Sequence, residues 1–144
     1  MRLLVLDTNV IVSAGIKPNG FPAKIVQTVI QEASIQIVVS SSIISEYRRV
    51  SRYSKFARYG FPPQWLEFLI ENALRFADAE SWRHPLPDPD DARFLCLAHA
   101  TGAWLITGNL KHYPIESREG VTLHTPAEYI AILTDDRAKP GPSP

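Results

Sequence analysis

The chain has 144 residues, 45% of them hydrophobic, with 15 basic and 15 acidic side chains. That is one domain with enough apolar content to bury its own core, which excludes disorder, a collagen-like fibre and a disulfide scaffold. A net charge of zero removes a uniformly basic surface as a reason to bind nucleic acid.

The longest apolar runs, residues 3–6 and 94–98, fall short of the ~18 residues that cross a bilayer. Asp7 interrupts the first before it could form the apolar core of a signal peptide. A soluble cytoplasmic protein with no membrane association is the expectation. The lone cysteine, Cys96, lies within Phe94-Leu95-Cys96-Leu97-Ala98 and reads as a buried thiol.

In chain order, Leu3-Leu4-Val5-Leu6 is the continuous apolar run of a strand buried on both faces, and it stops at Asp7-Thr8-Asn9. After a stretch punctuated by Gly15, Pro18, Gly20 and Pro22, the helical spacing of Ile25, Val26, Val29 and Ile30 predicts a helix over 22–33. Residues 35–39 are β-branched and short, a second strand. Ser40-Ser41-Ser42 can cap the helix carrying Ile43, Ile44, Tyr47 and Val50. Pro62-Pro63 opens a further helix to about residue 77, and residues 94–100 lie on the next. Strands follow over 104–107 and 121–123, and a last helix over 126–133. This alternation predicts an α/β protein, a three-layer α/β/α sandwich around a mainly parallel sheet. One domain spans 1–134, with 135–144 as a flexible tail.

Function in such sheets collects at the carboxyl ends of the strands. Four polar residues stand at those places: Asp7 after the first strand, Glu46 early in the helix after the second, Asp91 in the first turn of a later helix, and Asn109 just past residue 107. Carboxylates 4 Å apart repel by about 4 kcal/mol at an effective dielectric of 20, so a cluster needs a shared proton or a bound cation. Oxygen ligands favour Mg²⁺ or Mn²⁺. Each acid also has a structural reading. Asp88-Pro89-Asp90-Asp91 makes a helix start in its own right, with Asp88 as cap and the following acids facing the helix dipole. Glu46 could be an ordinary helix glutamate. Asp7 is the sharpest case, because a carboxylate directly after a buried strand is costly without a partner or a function.

Charge is segregated: residues 47–66 hold five bases and no acid, whereas 67–91 hold seven acids and two bases. The basic segment interleaves Arg48, Arg49, Arg52, Lys55 and Arg58 with aromatics, as a surface for phosphates and unpaired bases would. A solvated helix face with its rings turned inward is the other reading. The histidines lack zinc-ligand spacing, and no phosphate-binding glycine loop occurs. An aspartyl-phosphate phosphatase would commonly carry a second acid where Asn9 stands.

Leu6-Asp7-Thr8-Asn9-Val10, Ser45-Glu46-Tyr47, Asp88-Pro89-Asp90-Asp91-Ala92 and Ile106-Thr107-Gly108-Asn109-Leu110 together resemble the PIN-domain family, nearest its VapC-like toxin branch. The resemblance runs from residue 3 to about 133 and includes Thr125-Pro126-Ala127-Glu128-Tyr129-Ile130 as the branch's terminal helix. It implies a ribonuclease dependent on Mg²⁺ or Mn²⁺, an RNA substrate, a cognate antitoxin and a homodimer. It places Asp7, Glu46 and Asp91 as metal-binding acids, with Thr8, Asn9, Asp90 and Thr107 supporting them. Asn109 falls where many members have a fourth acid, and His112 where some have another. Both departures predict weaker binding of a second metal. A catalytically silent module that binds RNA or protein is the alternative.

Overall fold

The structure, a computed structural model, describes residues 1–78 and 81–138. Five parallel strands form one sheet in the order β3-β2-β1-β4-β5, where β1 is Arg2–Leu6, β2 Ile35–Val39, β3 Leu74–Arg75, β4 Trp104–Ile106 and β5 Leu123–His124. Leu4, Val5 and Leu6 of the central strand and Leu105 and Ile106 of its neighbour are wholly buried, as continuous apolar runs in a doubly covered sheet require. The expected three-layer α/β/α class is the one observed. The helices are α1 (Thr8–Ile16), α2 (Phe21–Gln31), α3 (Ser41–Ser51), α4 (Trp65–Asn72), α5 (Ala92–Thr101) and α6 (Pro126–Ala138). Helix α2 packs on α1 and α6, while α3 packs on α1 and α5. Among the described residues, no helix is long and apolar enough to cross a membrane.

Three elements depart from the sequence expectation. Residues 8–16 form a helix where only a punctuated stretch was expected. Asp7, extended at φ −61° and ψ 147°, is both the end of β1 and the cap of α1, so no loop separates strand from helix. Gly15 sits in its last turn because the Phe61 ring lies against it; a Cβ there would stand 2.5 Å from two ring carbons. The helix expected over 62–77 is shorter, because Leu74–Arg75 leaves it to pair with Val38 and Val39 as an edge strand. Two exposed residues carry no alternation pattern, so tertiary pairing decides their state. Helix α6 continues past residue 133, taking in residues 135–138 of the expected tail; residues 139–144 lie outside the described residues.

Helix α3 is tied to the sheet from beneath. Ser40 caps it, accepting from the Ile43 N–H at 3.4 Å. The wholly enclosed Tyr47 donates its hydroxyl to the Leu6 carbonyl at the end of β1. This bond sets the height of Glu46, one residue earlier, over the strand ends. Tyr47→Phe should therefore cost about 1–2 kcal/mol, measured as a lower urea midpoint with unchanged slope; an unaltered midpoint would show that the bond carries no net stability.

Candidate active site

In the order 3-2-1-4-5 the connections reverse direction around β1, and the crevice opens outside the carboxyl ends of β1 and β4. Leu6 is in register with Ile106, so Asp7 and Thr107 follow side by side, and the Asp7 N–H donates to the Ile106 carbonyl at 2.9 Å. The Thr107 hydroxyl donates to Asp7 Oδ2 at 2.9 Å, and the Tyr113 hydroxyl donates to the same oxygen at 2.7 Å. Asp7 Oδ1 accepts only a long cap bond from the Asn9 N–H at 3.4 Å among the described residues. One oxygen is held by two hydroxyls, and the other keeps capacity for a ligand.

Asn9 locks the second strand end to the first. Its Oδ1 accepts from the Gly108 N–H at 2.9 Å, its Nδ2 donates to Thr107 Oγ1 at 3.4 Å, and the Asn109 N–H donates to that same Oγ1 at 3.1 Å. Glu46 is tied from α1, where the Thr8 hydroxyl donates to its Oε2 at 2.7 Å; its Oε1 stands 3.7 Å from Arg49 Nη2. Thr8 and Thr107 thus bond Glu46 and Asp7 directly, whereas the Asn9 side-chain amide bonds Gly108 and Thr107 and touches no acid.

Asp91 closes a 3-10 turn, Pro89–Asp91, and opens α5. Asp88 caps that turn, accepting from the Asp90 N–H at 3.0 Å, while the Asp90 carboxylate is turned to solvent with an oxygen 3.8 Å from Arg93. Asp91 alone is buried. Its carboxyl is pushed up to about 6, first by burial, then by the charges of Asp7 and Asp88, against the opposing pull of His112. His112 Nδ1 lies 3.1 Å from Asp91 Oδ2, a buried oxygen with no other partner among the described residues. The Tyr113 phenol is pushed far up by burial, then by Asp7 and Asp91, with Glu46 adding to it.

Among the described residues, no three His, Cys, Asp or Glu side chains form a ready cage for a metal. The donor set still suits a hard octahedral cation, which takes one or two carboxylates and fills its shell with water or phosphate. Asp7 Oδ1, with one long cap bond, and Asp91 Oδ2, with His112 beside it, are the oxygens with capacity.

The candidate RNA-binding cations separate. Arg48 is engaged by a two-point bond to Glu67 of α4, at 2.9 and 2.8 Å. Arg49 reaches the Glu46 carboxylate and the Tyr53 hydroxyl. Arg52 and Lys55 are exposed, Lys55 Nζ lying 5.2 Å from the centre of the Phe56 ring. Sequence reasoning missed Tyr47 and Tyr113. A hydroxyl on the inward face of an apolar helix, beside Glu46, was a usable signal for Tyr47, since a buried phenol needs an acceptor. Tyr113 lies in a loop with no period, and nothing in the sequence marked it.

The fold is that of a PIN domain. A family model described as a PIN domain matches residues 3–111, and the chain belongs to that family. It is similar to the uncharacterized protein MJ1680 of Methanocaldococcus jannaschii, 30% identical over 109 residues, covering 74% of this chain and 70% of the relative. Its fold is similar to that of VapBC2 from Rickettsia felis bound to a DNA fragment from the promoter, with TM-score 0.60, 17% identity, and coverage of 85% of this chain and 98% of that one. VapBC-1 from nontypeable Haemophilus influenzae gives TM-score 0.58 at 17% identity, covering 87% and 98%.

Two tests address this geometry. Tyr113→Phe keeps the ring and removes the bond to Asp7 Oδ2; orienting partners of this kind are worth about ten- to a hundredfold in metal affinity, so Mn²⁺ titrated calorimetrically should bind that much more weakly. Unchanged affinity would make the hydroxyl a packing feature only. The raised Asp91 acid holds its proton more tightly folded than unfolded, so its contribution to stability falls as pH rises from about 4 to 6. The stability of the metal-free wild type relative to Asp91→Asn should fall through that window and level off above it; a difference that grows with pH would contradict the assignment.

Proposed function

We propose that this protein is a metal-dependent ribonuclease, the cytoplasmic toxin of a toxin–antitoxin pair, held in check by a cognate antitoxin and acting as a homodimer. The observation that carries the nuclease reading is the buried Asp91 carboxyl, pushed up by burial and then by the charge of Asp7, whose own Oδ1 accepts only one long bond among the described residues. Buried carboxyls whose charges act on one another are costly unless a proton or a cation offsets them. Membership of the PIN family and the likeness in fold to VapBC structures support the toxin reading.

Mg²⁺ or Mn²⁺, when bound by Asp7 and Asp91 with Glu46 beside them, would polarise the phosphate and lower the pKa of a bound water. The chain's own residues do the rest. Thr107 and Tyr113 fix the direction of the Asp7 carboxylate, and Thr8 fixes Glu46. Arg49, beside Glu46, offers two N–H groups to phosphate oxygens. No side-chain nucleophile is required: water adds its oxygen to phosphorus, the bond to the 3′ oxygen breaks, and the products carry a 5′ phosphate and a 3′ hydroxyl.

Asn109 and His112 bring no acid to the places where relatives carry further ones, which favours one tightly held ion with a second recruited by RNA. The same feature is what supports the second reading, a silent PIN-like module that binds RNA or protein. Incubating the purified protein with a mixed RNA pool, with Mn²⁺ or chelator, and mapping new ends distinguishes the two. New 5′-phosphate ends should appear with Mn²⁺, vanish with chelator, and be absent from folded Asp7→Asn; an active Asp7→Asn protein would refute the assignment.

Arg49, Arg52 and Lys55 with Arg48 form the proposed phosphate contacts, and their geometry ranks them. Each cation that neutralises one phosphate of a single strand contributes about 0.7 to the slope of log affinity against log salt. Arg49→Gln and Arg52→Gln should each reduce the slope by about that amount, whereas Arg48→Gln, whose cation is already paired with Glu67, should reduce it less. Equal effects at all three positions would mean that the Arg48 pair opens on binding.

A further inference from the structure

Two neighbouring residues of one loop grip the two buried acids of the crevice. Tyr113 donates its hydroxyl to Asp7 Oδ2 at 2.7 Å, and His112 sets Nδ1 3.1 Å from Asp91 Oδ2. The loop is braced on both sides of this pair. Residues 110–112 form a 3-10 turn, in which the His112 N–H donates to the Asn109 carbonyl at 3.2 Å and the Tyr113 N–H to the Leu110 carbonyl at 3.0 Å. The Tyr113 side chain is wholly buried, and its carbonyl accepts from Arg118 Nε at 2.7 Å. His112 itself stays open to water, with its side chain 41% exposed, so the imidazole links the buried Asp91 to solvent.

The contact has the dimensions of a ligand pair. Adjacent ligands of an octahedral ion bound at about 2.1 Å stand about 3.0 Å apart, and Nδ1 lies 3.1 Å from Oδ2. Arg49, the other cation-bearing side chain beside an acid of the site, is 3.7 Å from Glu46 and has no lone pair to give. Neutral imidazole has one on its unprotonated ring nitrogen. A nitrogen donor changes which ion is held. Carboxylate and water suit Mg²⁺, whereas imidazole suits transition ions, whose affinity for a given site climbs from Mn²⁺ through Co²⁺ to Ni²⁺.

We propose that His112 Nδ1 is a metal ligand beside Asp91 and Asp7, and that this nitrogen makes the site favour a first-row transition ion over Mg²⁺. The inference rests on the metal-dependent ribonuclease reading and specifies the class of ion it uses. It gives the two neighbours different work: Tyr113 orients an acid, and His112 adds a donor.

The test loads the full-length, untagged protein with Mn²⁺ and records its electron spin-echo modulation, which reports nitrogen bound to the ion. The wild type should show ¹⁴N modulation, and His112→Gln, which keeps a polar side chain of similar reach, should lose it. Calorimetric titrations with Mn²⁺ and with Mg²⁺ give the second readout. An orienting partner alone is worth about ten- to a hundredfold in metal affinity, so loss of a ligand should weaken Mn²⁺ binding by about tenfold or more. Mg²⁺ binding should change much less, which narrows the ratio of the two affinities. Circular dichroism checks that the variant folds, and the wild-type spectrum needs no variant. Mn²⁺ bound without nitrogen modulation, or a His112→Gln protein with an unchanged affinity ratio, overturns the nitrogen ligand and leaves the ribonuclease reading standing. A wild type that binds no Mn²⁺ overturns both.

Discussion

The structure turns on one buried carboxylate. Asp7 sits where the central strand stops and the first helix starts, and at 4% exposure it can be tolerated only if its oxygens are satisfied. The first turn of α1 supplies one donor, the Asn9 N–H, and two come from a distant part of the chain, Thr107 just past β4 and Tyr113 in the following loop. The Asn9 bond to Gly108 then clamps the two strand ends together. Satisfying Asp7 and assembling the crevice are thus one event, since the donors that stabilise the carboxylate also bring Asn109 and His112 to the site.

Hydroxyls hold one oxygen of Asp7, and the other accepts only the Asn9 cap bond among the described residues. Asp91 is raised by burial and by Asp7 itself, and it keeps an oxygen with no hydrogen-bond partner. This arrangement stores unfavourable charge in a fold that gains nothing from it structurally; Asp88 already caps the turn before α5, and Asp90 is in water. His112 Nδ1, 3.1 Å from Asp91 Oδ2, offsets part of that cost when protonated. Glu46 is set further out, held by Thr8 and neutralised in part by Arg49. The polarity of the site, acids in the crevice and cations along the continuation of α3, suits a phosphate chain that meets the acids through a metal and the helix through arginine.

Much of this was legible in the sequence because it rests on local patterns. An uninterrupted apolar run marked β1, a short β-branched segment marked β2, and helical spacing of apolar residues marked α2 and α3. The abrupt change from Leu6 to Asp7 marked the strand end. What escaped was what only tertiary structure decides. Helix α1 has no loop before it, so the strand end concealed the helix start. The two-residue β3 is a strand only because β2 offers an edge. The bonds from Tyr113 to Asp7 and from Arg48 to Glu67 join residues 106 and 19 positions apart, with no spacing rule to announce them.

The central claim is that the strand-end acids share a divalent ion, and crystals grown with Mn²⁺ test it most directly through anomalous difference density. The account predicts a peak in the crevice at bonding distance from one oxygen each of Asp7 and Asp91, with Asp7 Oδ2 still held by Thr107 and Tyr113. Ordered Asp7 and Asp91 side chains with no peak between them, or a peak only elsewhere on the surface, would contradict it.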